Sequence, residues 1–272
     1  MRRHQKRKML FATAILAIGL LAGCSSLPEN VSNSVIGEGS GSGEVITLEK
    51  KSFQADEFDR IHVSAKAMEI YVTKGSSDVA EAELLVNESI SSRFTFDATV
   101  KSRVLKLDVD EKGKLFDQSF KGQKGERKLV ISLPDKIYNE LTIKNEFGLV
   151  EASDLKMDNV DIKLSAGTIR LDGVYATMNV ETNAGEIIVE GISLENDLTA
   201  KTDAGEISIH LNESPKAAQI SLVSEVGEVT ADLEHIEFSD NSRNKKTGTI
   251  GSNGYVIDAS TAVGAILVDV KK

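Results

Sequence analysis

The 272-residue chain is expected to be all-β: a β-solenoid of stacked ~20-residue strand–glycine bend–strand repeats, behind an irregular β N-terminal part. Three observations predict this. TNAGEIIV at residues 182–189 returns as TDAGEISI at 202–209, 20 positions later. A glycine recurs at Gly148, Gly167, Gly185, Gly205, Gly227 and Gly264, with spacings of 19, 18, 20, 22 and 37. Apolar residues alternate on both sides of it: Leu141, Ile143, Val150 and Ala152 around the first glycine, Met178, Val180, Ile187 and Val189 around the third. Period 2 marks strands with one buried face. A unit of this length cannot bury its own apolar face, but stacked copies can. The glycine marks a bend with positive φ, where a side chain would clash. Coils should lie about 4.8 Å apart.

Taken in order, residues 1–23 read as a signal peptide. Five Lys/Arg precede an apolar run from Met9 to Leu21 that is shorter than the roughly 20 residues a membrane-spanning helix needs. Leu21-Ala22-Gly23-Cys24 resembles the lipobox of bacterial lipoproteins. That resemblance implies cleavage between Gly23 and Cys24, a diacylglycerol on the Cys24 thiol, and a chain held to a membrane by lipid. Cys24 is the only cysteine, so intramolecular disulfides are excluded and burial and backbone pairing must stabilise the fold. Removal of the five cations takes the net charge from −10 to −15, which argues against nucleic acid and an anionic bilayer surface as partners.

Residues 24–44 are rich in Gly, Ser and Asn and read as a flexible tether with a reach of roughly 25 Å. Residues 45–135 hold strand patterns at RIHVSA, MEIYVT, VAEAELLV, FTFDATV, VLKLDV and KLVISL, with a loop at Phe116–Arg127. The glycine bend is missing there. This half is read as a cap continuous with the solenoid, with a separate small β-sandwich as the alternative. Residues 136–272 are the regular repeats, interrupted by a polar insertion at 237–254 that is expected to be an exposed loop. No long helix is expected.

Three residues before each glycine stand Asn145, Leu164, Thr182, Thr202, Ser224 and Thr261. These are expected to form a structural ladder, inward or at the corner, with each hydroxyl bonding its neighbour above and below. Glu186, Glu206 and Glu228 follow the glycine and Asp203 and Glu225 precede it by two, on what the order of the chain makes three consecutive coils. Stacked carboxylates about 5 Å apart repel unless water, lysine or a cation intervenes. They are the candidate binding residues, for Ca²⁺ or a cationic peptide. An acid pair for glycan cleavage is a further reading, weakened by the absence of Trp. Solvated surface is the plainest one. His62, His210 and His235 show no metal spacing, and no G-x-S-x-G elbow or phosphate-binding glycine loop occurs. No cofactor, metal or catalytic residue is assigned.

RKLVISLPDKIYNELTIKNEFGLVEASDL, followed by the AGE-I coils, resembles the bacterial β-strand-repeat family labelled putative adhesin (domain of unknown function 4097). The resemblance implies a β-solenoid at the cell envelope and brings no catalytic residues; some relatives are tied to envelope stress and sensing of antimicrobial peptides. The expectation is a lipid-anchored, non-enzymatic envelope protein acting through an envelope protein, cell-wall or cationic-peptide partner. A sensor or decoy that uses the acidic column is the alternative.

Overall fold

The computed structural model describes residues 43–112 and 126–271. Residues 1–23, Gly23 and Cys24 at the expected cleavage site, and the tether up to residue 42 lie outside the described residues. So does most of the loop expected at Phe116–Arg127.

Seventeen strands are described: β1 Val45–Gln54, β2 Arg60–Ser64, β3 Ala67–Lys74, β4 Val79–Asn87, β5 Phe94–Lys101, β6 Val104–Glu111 and β7 Arg127–Leu133, then β8 Ile137–Ser153, β9 Lys156–Asp172, β10 Tyr175–Ile192 and β11 Leu198–Leu211, and finally β12 Ala218–Val226, β13 Val229–Asp232, β14 Glu237–Ser242, β15 Lys245–Ile250, β16 Tyr255–Val263 and β17 Ile266–Val270. Short 3₁₀ helices occur at Ala55–Glu57 and Glu88–Arg93. β8 to β11 pair in parallel, glycine against glycine, although β8 and β9 are joined by only two residues. Parallel neighbours need a crossover. Here the strand supplies its own by doubling back at the glycine, so each coil has an outgoing and a returning arm.

The arms build two facing sheets. The outgoing sheet runs β5, β6, β2, β8, β9, β10, β11, β16, β12, β15, β14. The returning sheet runs β1, β4, β7, β3, β8, β9, β10, β11, β17, β13. Leu141, Ile143, Val150 and Ala152 and their counterparts up to Ile266 and Val268 fill the space between, nearly all fully buried. The first half of the chain joins the same two sheets. β2 and β3 stack on the two arms of β8, and β6 and β7 stack on β2 and β3.

The stacking order differs from the chain order. β16 and β17 lie between β11 and the β12–β13 coil, so the glycine column runs Gly148, Gly167, Gly185, Gly205, Gly264, Gly227. After β13 the chain steps out to β14 and β15, then drops back to fill the gap with Ile266 and Val268. The segment 237–254, expected as a loop, is therefore largely a hairpin. β15 pairs antiparallel with β12 and covers the edge of the outgoing sheet. Its polar, turn-rich composition reads as a loop, yet polarity is also what an edge strand needs to discourage aggregation.

The ladder before the glycine is buried at all six positions. Its hydrogen bonds go elsewhere than expected. Ser224 donates to the Gly264 carbonyl at 2.8 Å, Thr261 to that of Gly205 at 3.3 Å, and the Asn145 amide to that of Met68 at 2.9 Å. Each of these carbonyls belongs to the bend of the adjacent coil, so the bonds tie neighbouring bends together.

One ion-pair group fixes the end of the chain. Glu190 on β10 accepts from Lys271 at 2.9 Å and Arg170 at 2.8 Å. The Lys271 hydrogen bond, helped by Arg170, holds its carboxyl below the ordinary 4.5. A folded pKa below the unfolded one gives stability that is present above the unfolded pKa and lost as pH falls through the folded one. Glu190→Gln is expected to make the stability profile flatter on the acid side of pH 4.5, read by urea unfolding at stepped pH.

Candidate functional site

The bends of successive coils form a ridge along one side of the solenoid. At its centre is the glycine column. Gly148, Gly167, Gly185, Gly205 and Gly264 have φ between 124° and 148°, a region that disfavours L side chains. The stacking is equally restrictive: a Cβ on Gly167, Gly185, Gly205 or Gly264 would sit 1.7–1.8 Å from the carbonyl oxygen of the preceding glycine in the stack. Gly227 lacks the positive φ, but its Cβ would meet Gly264 O at 1.8 Å.

The carboxylates stand on either side of this column. Glu186 and Glu206 are direct cross-strand neighbours. Glu228 does not continue their row. Ala204 and Val226 both pair with Val263, and Ile207 and Val229 both pair with Ile266, so Ala265 separates Glu206 from Glu228. By the same register Ala262 separates Asp203 from Glu225. Chain order suggested three consecutive coils; the late insertion of β16 and β17 doubles the spacing to about 10 Å. Glu228 instead lies 3.9 Å from Arg243 on the β14–β15 hairpin, with both groups largely exposed. Among the described residues no group of three His, Cys, Asp or Glu is placed to hold a metal.

This geometry predicts a coupling pattern. In a double-mutant cycle to glutamine, Glu186 and Glu206 should show repulsion of about 0.2–1 kcal/mol. Glu206 and Glu228 should show none. Equal coupling in both cycles would mean that the column acts as a continuous field rather than through neighbours.

The sequence reading missed an apolar row on the same ridge. The residue before each glycine faces outward, and in spatial order these are Phe147, Ala166, Ala184, Ala204, Val263 and Val226, each paired with the next. Val263 is 55% exposed and Val226 65%. The signal was masked: counted by two along the outgoing arm from Leu141, Ile143 and Asn145, Phe147 continues the inward phase, so period 2 reads the residue before each glycine as core, and it is the bend that turns it outward. Carboxylates border the row, with Asp203 and Glu225 on the outgoing side and Glu186, Glu206 and Glu228 on the returning side.

The described histidines stand apart from the ridge. His210 Nδ1 lies 2.6 Å from Asp269 Oδ1 on the neighbouring strand, His62 lies 3.5 Å from Glu140, and His235 is exposed at a turn with φ 62°.

Residues 138–269, from β8 to β17, match the model of the family Toastrack DUF4097. This stretch of the chain belongs to the Toastrack family. The Toastrack match takes in all six glycine bends and the β14–β15 hairpin, and it begins after β7. Two solved structures illustrate the likeness. A "putative cell adhesion protein" from Clostridium sporogenes ATCC 15579 is 16% identical, with 85% of this chain and 100% of that chain covered at a TM-score of 0.51. A "putative adhesin" from Bacteroides fragilis NCTC 9343 is 17% identical, with 83% and 97% covered and a TM-score of 0.34. The first shares the fold. A comparison with curated proteins gives no match. No helix among the described residues is long and apolar enough to cross a membrane.

Proposed function

We propose that the chain is a lipid-anchored, non-enzymatic envelope protein whose solenoid presents the bend ridge to a partner at the cell surface. The observation that carries this is the exposed apolar row ending in Val263 and Val226, framed by carboxylates on both sides. Contiguous apolar surface with a charged border is the composition of an interaction site rather than of plain solvated surface. The stacked backbone holds it in fixed register, so little ordering entropy is lost on contact. Anchoring rests on Cys24, and the likeness in fold to a protein described as an adhesion protein agrees with a surface role.

The experiment is site-specific photo-crosslinking in intact cells that express the full chain. Probes at Ala204 and Val263 should capture one envelope component. A probe at Thr142, on the outer face of the outgoing sheet, should not. Equal capture from all three positions, or capture from none, would sink the ridge as the binding surface.

A second reading, a sensor or decoy for cationic ligands, is favoured by the adjacent Glu186 and Glu206 with Asp203 nearby. It requires a salt-sensitive affinity for a cationic peptide or Ca²⁺ that falls when those three are neutralised together.

A further inference from the structure

The outgoing sheet carries a concavity on its outer face at the C-terminal end. Four adjacent strands, β16, β12, β15 and β14, line a groove of about 300 Å³. That volume lies at the lower end of the range for small-molecule sites. Two local features shape the sheet here. β14 carries a bulge between Phe238 and Asp240, and a bulge bends its strand and sharpens the twist. β15 carries Gly248, where a Cβ would sit 2.7 Å from the Glu237 carbonyl oxygen and 3.1 Å from Phe238 Cα, so β14 can approach this closely only over a glycine.

The side chains facing the groove are the outward set. Ile220 and Leu222 are buried in the core, which turns Gln219 and Ser221 of β12 outward. Register places Thr249 beside Gln219 and Thr247 beside Ser221 on β15, with Glu237 of β14 next to Thr249. Val256 of β16 flanks Gln219 on the other side. Ser239, the extra residue of the bulge, donates its hydroxyl to the Thr247 carbonyl at 3.2 Å and lies 3.0 Å from the Thr247 hydroxyl. Gln219, Ser221, Thr249 and Glu237 make no side-chain hydrogen bond or ion pair with the described residues.

These groups select a ligand class. Among the described residues the groove is lined by hydroxyls, one amide, one carboxylate and the methyl groups of valine and threonine, with no cationic side chain. An anion would meet the Glu237 carboxylate and no compensating charge. A divalent cation would find a single carboxylate, too few hard oxygen ligands of the kind it prefers. An apolar ligand would leave the polar groups unpaired. A polyol fits. Its hydroxyls donate and accept, as do those of Ser221 and Thr249 and the Gln219 amide.

We propose that this groove binds one pyranose ring of an uncharged glycan. Glu237 accepts from two neighbouring ring hydroxyls, Gln219, Ser221 and Thr249 exchange hydrogen bonds with the others, and Val256 covers part of the C–H face. Serine and threonine lose little rotamer freedom when fixed, and the paired backbone beneath them is already ordered. No aromatic ring lines the groove to stack on the sugar, so the affinity for a single ring is on the order of millimolar. Glu237 is the only carboxylate among the lining residues, so the site lacks the acid pair that glycan cleavage needs. The groove lies on the outer face and not at the bends, and the proposal is independent of what the bend ridge binds.

The test is saturation-transfer NMR on the full chain with glucose, N-acetylglucosamine and glucuronate as probes. A neutral sugar should give a saturable signal below about 100 mM. Glucuronate should bind about fivefold more weakly than glucose, because its carboxylate faces Glu237, and Glu237→Gln should remove that discrimination. The Ser221→Ala, Thr249→Val variant gives up no hydrogen bond to the described residues, so it should keep the urea midpoint of the parent while its affinity for the neutral sugar falls by about tenfold. Thr142→Val, on the same outer face but on β8, should leave binding unchanged. The absence of a saturable signal from both neutral sugars would overturn the proposal. So would binding that survives intact in the double variant, an equal loss in Thr142→Val, or glucuronate held as tightly as glucose by the parent chain.

Discussion

Gly185→Ala is expected to destabilise the protein by about 2–6 kcal/mol, or to prevent accumulation of folded chain. Two penalties add. An L residue held at φ 136° carries strain of roughly 1–3 kcal/mol. The new Cβ would sit 1.8 Å from Gly167 O and 2.8 Å from its carbonyl carbon, so backbone of the adjacent coil must move, and overpacking of that kind costs typically 1–3 kcal/mol more. The shift cannot stay local, because the displaced coil presses on Gly148 in turn. Gly75→Ala is the control. Its Cβ would meet the Ser132 hydroxyl, the end of a side chain that can rotate away, and no positive φ is involved. Denaturant unfolding of both variants should separate them by at least 2 kcal/mol. A Gly185→Ala protein within 1 kcal/mol of the parent would mean that the bends relax freely and the glycine column is not what sets the coil spacing.

The same column explains how far the sequence could be read. Where a residue's role is local, the reading reached it. Alternation around Gly148 to Gly264 located both arms and the bend, and six of the seven strands between Val45 and Leu133 carried a visible period-2 pattern. β1 did not, because its bulge between Thr47 and Glu49 and its Lys50-Lys51 pair break the alternation. Where the role depends on which coil lies next, sequence order misled. Nothing in TAVGAILV distinguishes a last coil from an inserted one. The register of Val263 with both Ala204 and Val226 is a tertiary fact, and it moves Glu228 away from Glu206. The ladder failed for a related reason. Short polar side chains beneath a bend were legible, but the acceptors of Asn145, Ser224 and Thr261 are carbonyls of the neighbouring coil's bend, and which coil that is does not follow from chain order. The residues expected to carry the anchor, and residues 113–125, fall outside the described part of the chain.

Glu111→Gln is expected to cost about 3–5 kcal/mol, as large an effect as the bend substitution but at the opposite kind of site. Glu111 ends β6 with its side chain 4% exposed. Its Oε1 lies 2.5 Å from Arg93 Nη2 and 3.3 Å from Arg127 Nη2, and the Arg127 guanidinium lies over the Phe94 ring. One carboxylate thus ties together the 3₁₀ turn at Glu88–Arg93, the end of β6 and the start of β7. Removal of its charge takes from both guanidinium groups the carboxylate they share in a poorly hydrated site, and truncating one member of a buried ion-pair group is what costs. The argument has a check within it. Replacing Glu111, Arg93 and Arg127 together by apolar residues of similar volume should restore much of the stability lost in the single variant, because the desolvation of all three charged groups is then removed along with the pairs. Solenoid coils contact mainly their neighbours, so the damage should begin locally. Amides of β4 to β7 should exchange faster in Glu111→Gln while those of β9 to β11 keep their protection. Uniform acceleration would instead show that cap and repeats unfold as one cooperative unit. A cost below 1 kcal/mol would show that water reaches the pair and screens it.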